Sequence, residues 1–342
     1  MSARSAVRSS KRPGVRAIAE HTKLSVATIS RVLNGASNVR PETREKVNKA
    51  IAELGFRPNP AARALSTNRT QTIGAVVPTL SHSIFTRFLD GAEQELAQHG
   101  YALVLATAEG GCAQEYQRVR EIMNLGAEGM MISGATHAPE LLSLVSQQGL
   151  PTVCISIYKP DFQLTTIGYD NEGLAGEAIG FLRGLGHRHI AVLHGPDEEN
   201  DRTQLRLKGA RVAGQELEVS FAGGSLDVAG GVAATAQVLG LPGRPTALLC
   251  LSDVLALGAL FELARAGIKV PEEVSVMGFD DLDWAAVSEP ALTSIRLPTT
   301  SMGRKAARAL IGKLDQDLPL VSERLDAEIV VRGSTAPPPK AG

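Results

Sequence analysis

A chain of 342 residues is longer than one ordinary domain, and 44% hydrophobic with only 4% aromatic content describes a globular protein with an aliphatic core. No apolar run approaches the roughly 20 residues of a membrane span, which argues against a membrane-embedded chain. The formal charge of −1 hides a division: residues 1–70 hold fourteen Lys and Arg against four Asp and Glu, and the remainder holds 21 against 32. A basic head on an acidic body points to a polyanion as the partner of the head alone.

The opening "MSARSAVRSSKRPG" carries positive charge without an apolar segment behind it, so it does not read as a secretory signal. Residues 1–12 read as a disordered basic tail. Three short helical patterns follow over 13–57. "VRAIAEHT" (Val15–Thr22) places Val15, Ile18 and Ala19 on one side. "SVATISRVLNG" has Ser25 to cap its start and Gly35 to end it, with Ile29, Val32 and Leu33 facing inward. The third pattern, Pro41–Leu54, opens on proline and turns Val47, Ile51 and Leu54 inward. Only "TKLS" separates the first two, so they must cross steeply, as in a helix-turn-helix.

The segment "AARALSTNRT" within 58–70 can form a helix but is too short to hold one alone. From Thr72 onward, apolar runs alternate with amphipathic helices: "TIGAVVP", "YALVLAT", "GMMIS", "PTVCISI", "TTIGYD", "HIAVLHG", "TALLCLS" and "VSVMGFD". Strands spaced this way build parallel sheets covered by helices on both faces. Eight runs fit two similar α/β lobes over 71–335 better than one closed barrel. The Pro-rich end, 336–342, reads as a disordered tail. Cys112, Cys154 and Cys250 show no metal or redox spacing and read as buried apolar residues.

The outer face of the second helix is unusual. It carries Val26, Ala27, Ser30 and Arg31, where an ordinary surface helix would carry more charge. A helix entering the major groove needs small residues to fit, apolar atoms for thymine methyls and a donor that reads guanine. Val26 and Ala27 meet the first two needs; Arg31 meets the third or grips a phosphate. Thr28, Ser30, Asn34 and Asn38 are candidate donors to phosphates or bases.

The run "AEHTKLSVATISRVLNGASNVRPETREKVNKAIAELGFRPNPAARAL" resembles the DNA-binding head of the LacI/GalR family of bacterial transcription regulators, and the resemblance continues through the lobes to about residue 333. It implies a helix-turn-helix head on a body of two periplasmic-binding-protein-like lobes with parallel sheets. It also implies a cytoplasmic homodimer on a near-palindromic operator, released by a small effector. The recognition positions of the family fall on Val26, Ala27 and Arg31. Lys23 stands where the family commonly has glycine in the turn, so it is expected at positive φ at a cost of roughly 1 kcal/mol. The linker becomes a hinge helix that folds on DNA, with Leu65 as the minor-groove wedge and Ala62 and Arg63 beside it.

In parallel sheets, ligands sit beyond the C-terminal strand ends. Polar residues at those points are Ser133, Ser252, Asp253, Asp280, Asp281 and Trp284, together with "DEENDRTQLR" (Asp197–Arg206). By motif, the resemblance assigns Arg206, Asp280 and Phe85 to the sugar clasp. Asp253 and Asp170 read as helix caps more readily than as ligand contacts, and Trp284 equally as a core residue or a sugar-stacking ring. Arg202 lies one turn before Arg206 on the same helix face. Two guanidiniums suit a carboxylate, and "DRTQLRLKG", "SGATHAPELL" and "YDNEGLAGEA" resemble the gluconate-repressor branch, which implies a sugar-acid effector. Pairing of Arg202 with Asp201 or Glu199 is the alternative.

No G-x-S-x-G elbow, Walker A, HExxH or CxxC pattern is present, so the chain does not read as an enzyme and no cofactor or metal is expected. The "GHRHI" turn lacks the further ligands a metal needs. Two other readings remain: a periplasmic-type sugar-binding protein without DNA function, and a regulator that needs a corepressor.

Overall fold

Three helices pack at the head because each turns a short apolar stripe inward. α1 (Val15–Thr22) ends where Lys23 takes φ +55, and the Lys23 amide closes back onto the Ala19 and Glu20 carbonyls. α2 (Val26–Leu33) is capped by Ser25, whose Oγ accepts the Thr28 amide at 3.1 Å. α3 (Pro41–Leu54) starts on Pro41 and stops at Gly55, which is left-handed at φ +60. Ile18, Ile29, Val32, Val47, Ala50 and Phe56 form the core between them. Phe56 closes that core from just beyond α3, where no helical periodicity marks it.

The computed structural model describes residues 14–33, 38–56, 64, 69–81 and 83–339, in two compact units that divide between Thr70 and Gln71. The basic tail expected at 1–12, Gly35 as the end of the second helix, most of the linker expected at 58–70, and Asn34, Ala62, Arg63 and Leu65, lie outside the described residues.

The second unit contains two six-stranded sheets. The first comprises β1 (Thr72–Val77), β2 (Ala102–Thr107), β3 (Gly129–Ser133), β4 (Thr152–Ile155), β5 (Thr165–Gly168) and β11 (Glu323–Arg324). Their order is β11-β5-β4-β3-β1-β2, with every pairing parallel. The second comprises β6 (His189–His194), β7 (Glu218–Gly223), β8 (Ala247–Cys250), β9 (Ser275–Asp280), β10 (Thr293–Arg296) and β12 (Glu328–Val330). It runs β12-β10-β9-β8-β6-β7 and is parallel except where β12 meets β10. All eight expected runs are strands. β7 and β10–β12 escaped notice because hydroxyls and charges interrupt them. In β10, Thr293 and Ser294 are fully buried, their hydroxyls bonded to Thr335 at 2.9 Å and Asp253 at 2.6 Å.

The chain passes between the sheets three times: after β5, after β10 and after β11. α11 (Thr299–Gln316) therefore returns to the first lobe and packs on α4 (Ser83–Gln98). α5 (Gly111–Asn124) and α6 (Pro139–Gln147) complete that lobe. α7 (Asn171–Gly184), α8 (Asp201–Ala213), α9 (Val228–Leu239) and α10 (Asp253–Arg265) cover the other.

The end of the chain departs from the expected tail, since Ser334 and Ala336 are hydrogen-bonded to the body. Ala336 is bonded through its amide to Ser275 Oγ at 3.0 Å, and its carbonyl accepts from the buried His187 Nε2 at 2.9 Å. Prolines do not prevent this docking because the fixed groups are those of Ser334 and Ala336.

Candidate functional site

On the head, Ser25 and Thr28 are tied together, with their hydroxyls 2.9 Å apart. That contact turns Thr28 toward the cap and leaves Val26, Ala27 and Arg31 exposed along α2. Val26 is 47% exposed, although burying a valine is favourable, so this face is built for an external surface. Ser30 is half-buried beside them, and Asn38 is exposed just before α3.

In the body, a cavity of about 630 Å³ opens between the lobes at the C-terminal strand ends, a size usual for small-molecule sites. Phe85, Ser133, Arg202, Arg206, Ser252 and Asp280 all line it. Arg206 is its most constrained member. Its Nε donates to Asn171 Oδ1 at 2.9 Å and its Nη1 to the Leu251 carbonyl at 2.7 Å, and its guanidinium lies 3.8 Å above the Phe279 ring. Burial pushes its pKa down, and the same burial pushes the neighbouring Tyr169 phenol up. Asp280 stands at φ +123 at the end of β9 and accepts from Ser252 Oγ at 2.8 Å. The Ser133 hydroxyl is buried on the wall with no hydrogen-bond partner among the described residues. A buried hydroxyl left open in this way favours a ligand able to bond it.

Three expected contacts are absent from the cavity wall. Asp253 braces the second lobe: its carboxylate accepts the Leu282 amide at 2.7 Å and the Ser294 hydroxyl at 2.6 Å. Asp281 turns away from its neighbour Asp280, to Arg296 and Arg332, each at 2.7 Å. Its φ of +52 makes that turn. Trp284 packs on the second-lobe core, as the core reading of that residue had it. Asp170 likewise caps α7, taking the Gly173 amide at 2.9 Å.

Other wall residues were not singled out in the sequence. Tyr169 follows the last residue of β5 within the run "TTIGYD", where the rule for parallel sheets reaches it. Cys112 is half-buried on the wall, beside a buried Glu115 that bonds His137 Nδ1 at 2.7 Å. It is therefore no core residue, unlike Cys154 and Cys250. The loop "AEGGC" after β2 carried the same positional signal.

Residues 15–59 match the family described as bacterial regulatory proteins, lacI family, and residues 179–335 match the periplasmic binding protein-like domain. The HTH-type transcriptional repressor CytR of Escherichia coli strain K12 is 34% identical over 328 residues, 93% of this chain and 95% of that protein. The chain belongs to the lacI family. It is a DNA-binding transcriptional repressor, not an enzyme. A crystal structure of the lac repressor dimer bound to operator and the anti-inducer ONPF is similar, with a TM-score of 0.86, 26% identity, and 95% of this chain and 100% of that one covered. The regulator CelR in complex with cellobiose follows with a TM-score of 0.69, 30% identity, and coverage of 94% and 100%. No helix among the described residues is long and apolar enough to cross a membrane.

Proposed function

We propose that two copies of this chain hold a near-palindromic operator and that a sugar or sugar acid bound between the lobes releases them from it. In this reading α2 enters the major groove, with Val26, Ala27 and Arg31 at the bases. Thr28, Ser30, Asn34 and Asn38 supply donors to phosphates or bases. Ala62, Arg63 and Leu65 form the minor-groove hinge. The lac repressor dimer on its operator supports the arrangement through its fold likeness.

The observation that carries the effector reading is the interlobe cavity with Arg206, Asp280, Ser252 and the open Ser133 hydroxyl on its wall. Phe85 adds an aromatic surface there. Asp253, Asp281 and Trp284 leave the proposed contact set because each is engaged elsewhere. Arg202 remains in it, but its Nη1 donates to Asp201 Oδ1 at 3.0 Å. That ion pair offsets the Arg202 charge, so the case for an acid such as gluconate rests on Arg206 and on sequence likeness.

Calorimetric titration of the full chain with gluconate, related sugar acids and their neutral counterparts tests the proposal. Micromolar binding of an acid but not its neutral partner supports the gluconate-like reading. Binding of neutral sugars alone removes the acid and keeps the sugar. If none binds, the effector reading is wrong.

A further inference from the structure

At the start of α5 the N-cap is Gly110, which has no side chain to cap the first turn, and that turn holds no acidic residue; Gln114 Oε1 of the same lobe takes the Gly110 amide at 2.6 Å. Free amides and the positive end of the helix dipole favour a carboxylate at such a point. The second lobe supplies one: Glu199 Oε2 accepts the Cys112 amide at 3.0 Å.

A matching contact lies two residues on. Asp201 Oδ2 accepts the Ala135 amide, from the loop after β3, at 2.5 Å. Both seats are left-handed glycines, Gly111 at φ +74 and Gly134 at φ +85. A Cβ on Gly111 would stand 2.3 Å from Glu199 Oε2, and one on Gly134 would stand 1.9 Å from Arg202 Nη1 and 2.7 Å from Asp201 Oδ1. Only a bare backbone lets these side chains dock. Glu199 itself holds φ +51, a conformation a glutamate keeps only where its surroundings fix it.

We infer that Glu199 and Asp201 form an interlobe clasp at the edge of the cavity, holding the cleft closed until both carboxylates release their backbone partners. The inference rests on reading the cleft as the effector site. The clasp sets the balance between closed and open lobes, and through that balance the effector's leverage on DNA. It also fixes Arg202, which faces the cavity from between the Asp201 contact and Arg206.

Cys112 provides a native probe. Its thiol is pushed up to about 11, by burial first and then by Glu199, whereas Cys154 and Cys250 are fully buried. Maleimide labelling of the full chain at Cys112, read by peptide mass spectrometry, therefore follows the opening of the cleft. Asp201→Ala should raise the labelling rate about tenfold, as expected for loss of one charge-assisted hydrogen bond between the lobes. Burial, Glu199 and Glu115 are the main groups that raise the Cys112 thiol, so loss of Asp201 acts on the labelling chiefly through the opening of the cleft. Glu199→Ala should raise it further, by opening the cleft and by removing a neighbouring charge.

Glu216→Ala removes an exposed carboxylate of the same lobe away from the cavity wall and should leave the rate unchanged. An Asp201→Ala rate within twofold of the native chain overturns the clasp, as does an equal rise in Glu216→Ala. If Asp201→Ala does not fold, Asp201→Asn serves, since its amide oxygen still accepts from Ala135 more weakly; a rate as low as the native one then overturns the clasp. Calorimetry with the sugar panel is read separately. Faster labelling without any sugar binding leaves the clasp standing and removes the effector reading.

Discussion

Replacing Asp253 by asparagine should stabilise the body at alkaline pH and do little at acid pH. The Asp253 carboxyl is pushed up to about 7, by burial first and then by the Asp280 charge. Its usual value is 3.8, so the rise is about three units. At about 1.4 kcal/mol per unit, holding the ionised form in the fold costs roughly 4 kcal/mol above pH 7. The two hydrogen bonds it accepts already oppose that rise.

Asparagine keeps an oxygen toward the Leu282 amide and turns its NH2 toward Ser294 Oγ, which now accepts from the Asp281 amide at 3.1 Å. A hydroxyl oxygen has a second lone pair for that donor. Allowing for weaker neutral bonds, the expected gain at pH 8 is about 1–3 kcal/mol, or roughly 5 °C for a body of this size. Because the folded pKa is raised, the cost of the ionised form is absent below about pH 4, grows as pH rises and is complete once pH passes 7. At about pH 3.5 the variant should therefore match the native chain. Urea unfolding of both proteins at about pH 3.5 and pH 8 measures this. Equal destabilisation of Asp253→Asn at both pH values would refute the reasoning, because it would mean that the carboxylate charge holds the lobe together.

Arg206→Met removes bonds to Asn171 and the Leu251 carbonyl as well as a buried cation of the cavity wall. It should cost about 2–4 kcal/mol in urea unfolding and abolish effector binding by calorimetry; unchanged binding would place the effector elsewhere. Arg31→Ala should weaken operator binding tenfold or more, and the salt dependence separates two roles. A fall in the salt slope by about one marks a phosphate contact, whereas loss of preference at one base pair marks a base contact. Leu65→Ala should reduce operator affinity without altering effector affinity, and full retention of operator affinity would remove the hinge role. His187, whose pKa is lowered by burial, should bind a proton less readily in the fold than in the unfolded chain. Its contribution to stability is present above about pH 6.5 and is lost as pH falls. Hydrogen exchange at Ala336 should therefore be faster at pH 5 than at pH 7.5, beyond the intrinsic pH effect.

Among the described residues, the three helices of the head were legible in the sequence. Pro41, Ser25 and the left-handed turn at Lys23 are local signals, and short helices obey local rules. The two-lobed body was legible from its apolar runs. The order of strands was not, because β11 and β12 are short segments whose pairing depends on where the chain recrosses between lobes. Hydrophobic patterning also missed β10, whose buried Thr293 and Ser294 are compensated by partners distant in sequence.

In the cavity, the positional rule for strand ends found Arg206 and Asp280 but could not tell Asp280 from Asp281. One backbone turn at φ +52 sends the second carboxylate to Arg296 and Arg332. Arg202 was placed on the correct helix face, yet its partner Asp201 became decisive only through Gly134, 67 positions earlier in the sequence. Such contacts are made by the closing of two lobes, and no local pattern records them.

The central claim is best tested by selecting duplexes from a random library with the full chain and measuring affinity for the enriched sequence by fluorescence anisotropy, with and without the sugar that calorimetry identifies. The account predicts an enriched site of near two-fold symmetry, an affinity that falls steeply with salt, and a 5- to 150-fold loss of affinity when the sugar is added. Selection of an asymmetric site, or an affinity indifferent to a sugar that demonstrably fills the cavity, would contradict it.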